Sequence, residues 1–373
     1  MKILFLGDAS MAHYNLSLGL RQLGHETLVI SEKMRWRNFP QDITLDRKQG
    51  LWGSIKYLIQ VLLLLPKLRG YDIVQLVGPN FMALRKERLR WIYDYLRKHN
   101  KRVVMTVLGD DYYWVHGCCD LQLFRYSDFN LGSVDRRDTF PYAKKQYEEW
   151  MLPVNKDFSQ YIARTCDAIT PVLYEYWWCY QQCWKSKSTY MPLPIVPEEK
   201  ATQDFGVGEK IRFFLGIQHN RSEYKGTDIM RKALEDIVAK YPDKAEYTIV
   251  EDLPYSEYIR KMEGHDVVID QLYSYTPAMN GLLTMSKGLV CVGGGEPECY
   301  QILGEKELRP IVNVEPNYES VYKELENLIQ HPQLITELKK QSYEFVQRHH
   351  HYIKVARRYE ALYNSLFNED TSA

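Results

Sequence analysis

The sequence has little that would carry it into or across a membrane. Its longest uncharged apolar stretch, Tyr57 to Pro66, is about half the length a helix needs to span a bilayer. The opening segment Met1 to Gly7 (MKILFLG) meets Asp8 at once. It is too short for the apolar part of a secretory leader and reads as a buried strand. Cysteine is sparse and odd in number, seven in 373 residues, which points to reduced thiols and a cytoplasmic protein. Cys179 and Cys183 at i, i+4 and His116 near Cys118-Cys119 lack the paired spacing of a zinc site. There is no short-period repeat and no low-complexity stretch. Net charge is absent as well, with 48 Lys and Arg against 48 Asp and Glu, and no nucleic-acid partner is expected.

What is present describes an ordinary globular protein, 45% hydrophobic and 26% charged, long enough for two domains. Tyrosine is abundant, at 29 residues beside 8 Trp, which suits carbohydrate stacking, a membrane interface or simple core filling. The neutral total hides an asymmetry. Residues 1–195 hold 27 Lys and Arg against 19 Asp and Glu, so the first half is basic and suits an anionic surface or acceptor. Most of the surplus lies in Lys33 to Phe39 (KMRWRNF) and Leu84 to Arg102. Trp and Tyr beside Lys and Arg fit peripheral contact with an inner membrane face; the alternative is a solvated helix with Trp91 and Leu96 packed inward.

The pattern of elements repeats. The first half reads as strand (Lys2 to Leu6), loop, helix (Met11 to Leu23) and strand (Thr27 to Ser31), with further strands at Ile73 to Val77, Val103 to Val107 and Ala168 to Pro171. The second half restarts with strand Arg212 to Leu215, helix Asp228 to Lys240 and strand Tyr247 to Val250. It continues with helix Tyr255 to Met262, strand Val267 to Ile269, helix Pro277 to Ser286 and strand Val290 to Val292. Two β-α alternations imply two doubly wound domains. The expected division is 1–191, 192–340 and a C-terminal helical segment, 341–373, with Met191 to Lys200 (MPLPIVPEEK) as the linker.

The stretch Ile211 to Asp228 (IRFFLGIQHNRSEYKGTD) carries the most chemistry. A strand runs into a polar loop with Gln218, His219, Arg221 and Lys225, and Gly226-Thr227 open a helix. A strand edge, clustered cations and a helix N-terminus together suit a dianion such as a diphosphate. The competing reading is a solvated βα loop.

In the order of its segments the chain resembles a glycosyltransferase of the GT-B fold, nearest the family 4 group of retaining enzymes. The likeness rests on Tyr71-Asp72-Ile73-Val74, Thr106 to Asp111, Asp167-Ala168-Ile169-Thr170 and Lys225-Gly226. It extends to Asp266 to Asp270, Met285 to Val290 and a final helix from about Ser342 to Tyr363. It implies an α/β architecture of two Rossmann-like domains facing a cleft. It also implies a nucleotide sugar (UDP- or GDP-linked) as co-substrate, no cofactor or metal, and a glycan or lipid-linked acceptor in cell-surface glycan synthesis. The family's E-x₇-E pair falls at Tyr275 and Leu283, neither acidic, and the His of its H-G-x-D stretch falls at Leu108.

Transfer leaves a nucleoside diphosphate, so charge growing on the phosphate must be stabilised. Arg221 and Lys225 are the expected cations, with His219 and Gly226 beside them. Thr276 reads as an N-cap and Pro277 as the first residue of its helix, leaving the amides of Ala278 and Met279 for the donor. Gly293-Gly294-Gly295 read as a loop open to positive φ and close ligand approach, with Glu296 or Glu298 replacing the missing acids. The resemblance places Leu253 and Tyr255 near the base, the alternative for Tyr255 being a staple at the helix entrance. On the acceptor side stand Gly7, Asp8, His13 and Asp110, and an inverting reaction would need a base there, with His13, Asp8 or Asp111 available. Two rival readings are a sugar-nucleotide epimerase of the same fold and a non-catalytic sugar-nucleotide-binding protein.

Overall fold

The computed structural model describes residues 1–33, 41–197 and 205–368. Most of the basic segment Lys33 to Phe39 and the end of the expected linker lie outside the described residues. The chain divides into two compact units, one of Met1–Gly117, Gln146–Pro194 and Tyr352 onward, the other of Cys118–Lys145 and Ile195–His351. This differs from the sequence-based boundaries, because residues 118–145 group with the second unit and so do residues 341–351.

In the first unit, strands β1 (Lys2–Leu6), β2 (Glu26–Glu32), β3 (Ile43–Leu45), β4 (Ile73–Leu76) and β5 (Arg102–Val107) are followed, beyond a two-residue hairpin β6 (Asn130–Leu131) and β7 (Val134–Asp135) of the second unit, by β8 (Ala168–Pro171). The six form one parallel sheet in the order β3-β2-β1-β4-β5-β8. Central strands such as KILFL and RVVMTV are apolar almost without interruption and buried throughout most of their length, as a parallel sheet covered on both faces requires.

Helix Ala12–Gln22 packs on helix Tyr352–Asn368. A Cβ at Gly19 would stand 2.5 Å from the Tyr352 carbonyl oxygen and 2.7 Å from Ala356 Cβ, so glycine permits that close approach. Ile3, Phe5, Leu16 and Leu20 share one apolar cluster with Val355, Ala356, Tyr359 and Tyr363. The final helix begins at Tyr352, not at about Ser342 as the resemblance implies. Helix Pro332–Phe345 ends in a wide turn, Val346–His350, before the next helix begins at Tyr352.

In the second unit, β9 (Ile211–Ile217), β10 (Ala245–Glu251), β11 (Val267–Ile269), β12 (Val290–Gly293) and β13 (Val312–Asn313) form a parallel sheet in the order β10-β9-β11-β12-β13. Its core joins Phe213, Leu215, Val290 and Val292 to Met230, Leu234, Leu325 and Leu328 from the covering helices. Lys339 and Asp266 form a buried ion pair at 2.7 Å. Its desolvation is offset by the Gly206 carbonyl, which accepts from Lys339, and the Arg212 amide, which donates to Asp266. The chain leaves β9 toward β10 and returns on the other side for β11. The strand order therefore reverses between β9 and β11, where open α/β sheets form a ligand crevice at the C-terminal strand ends.

Candidate functional site

The loop after β9 lies at that crevice. It winds through short helical turns, His219–Arg221 and Ser222–Lys225, and reaches Gly226 at φ +70° before helix Thr227–Lys240. The helix begins one residue earlier than expected, and the approach to it is coiled rather than open. The Leu272 amide donates to the Lys225 carbonyl at 2.9 Å. A Cβ at Gly226 would lie 2.7 Å from Leu272 Cδ1. Lys225-Gly226 is thus pinned to the segment after β11. The Arg221 guanidinium lies 4.9 Å from the Tyr224 ring centroid.

His219, expected beside the donor, pairs with the acids at the end of β10. It is exposed and bridges Asp252 (Nδ1 to Oδ2, 2.8 Å) and Glu251 (Nε2 to Oε2, 3.1 Å). The Asp252 hydrogen bond, then the charges of Glu251 and Asp252, raise its pKa. Its charge is balanced by these two acids. Leu253 and Tyr255 follow β10, both half-buried, with Pro254 as N-cap of helix Tyr255–Met262.

After β11 the cap also differs. Ala278, not Thr276, is the N-cap, and helix Met279–Ser286 has no side-chain cap. Thr276 is buried at 3% exposure. The first bond of the helix runs from the Leu282 amide to the Ala278 carbonyl at 3.0 Å. The amides ahead of it belong to Met279, Asn280 and Gly281, shifted forward from Ala278 and Met279. Beside them Asn280 donates to Asp270 Oδ1 (2.8 Å) and accepts from the Tyr258 hydroxyl (3.0 Å).

The glycine run serves packing. None of Gly293, Gly294 and Gly295 has a positive φ. A Cβ on Gly294 would fall 1.9 Å from the Ser274 carbonyl oxygen, and one on Gly295 2.7 Å from Ile311 Cγ2. Close approach is required, but the approaching backbone is the chain's own. The acids that follow are held by Arg125, which sequence reasoning did not single out. Its Nη1 donates to Glu298 Oε1 at 2.6 Å and its Nη2 to Glu296 Oε2 at 2.8 Å. Glu296 Oε1 accepts from the Tyr126 hydroxyl (2.7 Å) and from Asn313 Nδ2 (3.1 Å).

Burial alone pushes the Glu298 carboxyl up, but the Arg125 hydrogen bond, a backbone amide and the Arg125 charge outweigh it and hold the pKa below 4.5. Tyr275, at the first lost acid position, accepts from the Arg125 amide at its hydroxyl oxygen (2.7 Å) and turns its ring face to the guanidinium at 4.7 Å. Arg125, Tyr126, Glu296, Glu298, Gln301 and Asn317 border a cleft of about 640 Å³ within this unit.

In the first unit, Gly7 at φ +76° ends β1. A Cβ there would stand 2.4 Å from Val77 Cγ1. Asp8 accepts from the amides of His13 (2.9 Å) and Tyr14 (3.2 Å), and burial raises its pKa to about 6. His13, expected to face an acceptor, is instead 1% exposed. Its Nδ1 lies 2.7 Å from the Gly7 carbonyl oxygen and its Nε2 2.9 Å from Thr106 Oγ1. A carbonyl only accepts, so Nδ1 carries the proton and Nε2 accepts from the hydroxyl. Burial lowers its pKa to about 4. Both nitrogens of this imidazole are therefore engaged within the unit.

Asp111 is likewise buried, accepting from the Tyr180 hydroxyl (2.6 Å) and the Trp114 amide (2.8 Å), with burial raising its pKa to about 6. Asp110 is half-buried at the same strand end.

No protein-family model and no curated protein sequence matches the chain. Solved structures do. HepE from Anabaena, in complex with UDP and glucose, is 12% identical with a TM-score of 0.61 over 98% of this chain and 100% of its own. Sucrose-phosphate synthase from Thermosynechococcus elongatus is 12% identical at TM-score 0.58, covering 99% of both chains. The catalytic domain of starch synthase IV from Arabidopsis thaliana, bound to ADP and acarbose, is 10% identical at TM-score 0.60, covering 98% of both. The chain shares the α/β fold of these proteins from end to end.

Proposed function

We propose that the protein is a glycosyltransferase that moves a sugar from a nucleoside diphosphate sugar to a saccharide or lipid-linked acceptor, with retention, in cell-surface glycan synthesis. The observation that carries this reading is the position of Lys225-Gly226 at the reversal point between β9 and β11, tied to Leu272. In a fold whose solved examples hold UDP or ADP, this crevice suits the donor. Lys225 and Arg221 would meet the diphosphate, supported by the amides that open helix Met279–Ser286. Leu253 and Tyr255 would flank the base.

In the proposed transfer the anomeric C–O bond to phosphate breaks and the acceptor oxygen bonds to the same carbon. The acceptor proton passes to the departing phosphate oxygen. This route needs no protein base, in keeping with the engaged nitrogens of His13 and the carboxylate of Asp111, which accepts two hydrogen bonds. Glu298, with Arg125, would orient the sugar. Peripheral contact of the basic first half with a membrane belongs to the same proposal.

Incubation with UDP- and GDP-sugars, with and without glycan acceptors, tests it through nucleoside diphosphate release. Acceptor-dependent release is the expected result. Release without acceptor would mean hydrolysis or elimination, and binding without turnover would mean a non-catalytic protein.

A further inference from the structure

Helix Leu51–Leu64 (LWGSIKYLIQVLLL) of the first unit has its apolar side outward. It buries only Tyr57 and Val61, one turn apart. The Tyr57 hydroxyl is bonded to Glu32, whose Oε1 also accepts from the Ala83 amide at 2.8 Å. At about 100° per residue the exposed apolar residues Leu51, Trp52, Ile55, Ile59, Leu62 and Leu63 fall within one face about 120° wide, opposite the buried pair. Trp52 is 82% exposed, Leu51 75% and Leu63 73%. Scattered surface leucines need no explanation, but six large apolar side chains on one face do.

The charges around that face select its partner. From Arg47 to Tyr71 the chain carries five cations (Arg47, Lys48, Lys56, Lys67, Arg69) and no carboxylate. Lys48 and Lys67 sit just before and after the helix, and Lys56 borders the apolar face on the wheel. Among the described residues no helix is long and apolar enough to cross a membrane, and this one, about 21 Å long, is no exception. An apolar face with Trp at one end and a flank of five cations, against the one exposed carboxylate of Asp46 whose backbone bonds Gln60 of the helix, is the composition of a helix lying in a bilayer interface. Its aliphatic and indole groups enter the acyl boundary while Lys and Arg meet lipid phosphates.

We propose that Leu51–Leu64 is an interfacial anchor that seats the first unit on an anionic lipid surface. This rests on the peripheral membrane contact proposed above and assigns it to a different element from Lys33–Phe39 and Leu84–Arg102, and it does not depend on the donor chemistry.

The test is co-sedimentation of the full chain with phosphatidylcholine vesicles and with vesicles in which a third of the lipid is phosphatidylglycerol. Binding to the anionic vesicles, weakened by added salt, is expected. W52E/L63E should reduce it at least about tenfold, and K48E/K67E by a similar factor on anionic lipid. All four residues are outside the core, so thermal melts of the variants should match the parent and keep the comparison valid. The proposal is overturned if the chain ignores both vesicle types or if W52E/L63E binds like the parent. It is equally overturned if sedimentation equilibrium shows a self-associated chain dissociated by W52E/L63E with vesicle binding unaltered, since the face would then be covered by a second copy. Nucleoside diphosphate calorimetry on the same samples reports separately on the donor site, so either reading can fail alone.

Discussion

Arg125 and Glu298 lie 173 residues apart in sequence and meet through two hydrogen bonds, Nη1 to Oε1 at 2.6 Å and Nη2 to Oε2 at 3.3 Å. With Glu296 on the other side, the guanidinium fork is shared by two carboxylates. Segment 118–145 is thereby fastened to the turn after β12. Arg125→Ala should destabilise the second unit by about 1 kcal/mol at neutral pH, a charged hydrogen bond discounted because half of the arginine is in water. Glu298 has a depressed pKa in the folded state. The stability it contributes is present above the unfolded value near 4.5 and is lost as pH falls through the folded one. Denaturant titrations of parent and variant should therefore differ at pH 7 and converge at acid pH. A constant difference would assign the effect to packing.

Glu298→Gln keeps the shape and removes the charge. Turnover should fall about ten- to hundredfold, or about 1.4–2.7 kcal/mol of transition-state stabilisation, while nucleoside diphosphate affinity changes little. Steady-state kinetics with calorimetry checks both. A parental rate would reduce Glu298 to an anchor for Arg125.

Lys225→Ala should weaken nucleoside diphosphate binding by about 1.5–3 kcal/mol and leave nucleoside binding nearly intact. Calorimetric titration with each ligand separates the two. Equal losses would place Lys225 away from phosphate.

The buried groups of the first unit make a prediction with a sign. Asp111 has a folded pKa of about 6 against 3.8, so its stabilising contribution is complete below pH 3.8 and lost as pH rises through 6. His13, lowered from 6.5 to about 4, acts oppositely. The unfolded chain takes up its proton first, and stability falls as pH drops from 6.5 toward 4. Parent profiles therefore contain opposing slopes, and Asp111→Asn removes one of them. The variant should gain on the parent by about 3 kcal/mol between pH 4 and pH 7.5, as read from urea midpoints. Parallel profiles would contradict the buried carboxylate.

The sheets were legible wherever burial on both faces leaves an uninterrupted apolar run. β1, β8 and β11 have the bounds that Lys2–Leu6, Ala168–Pro171 and Val267–Ile269 suggested. β3 and β13, at three and two residues, carry no such run and exist only because a neighbour offers a pairing edge. Thr276-Pro277 has the composition of a helix start, yet Thr276 is drawn into the interior and the start passes to Ala278. The triple glycine did announce a close approach, but composition does not say whether a ligand or the chain's own Ser274 does the approaching. Arg125 gave no signal, because its partners are brought to it only by the folded second unit.

The wiring of the first unit bears on how it is made. Tyr363 donates to Gln75 Oε1, whose Nε2 donates to Thr106, the residue that also bonds His13. Helix Tyr352–Asn368 fills the same cluster as β1 and the first helix. During synthesis the ribosome must deliver all of residues 195–351 before that helix appears. The second unit's strands and helices can close while the first still shows an open apolar groove along Leu16 and Leu20. The part of the chain made first is completed last, and in that interval the groove is the nascent protein's exposed sticky surface.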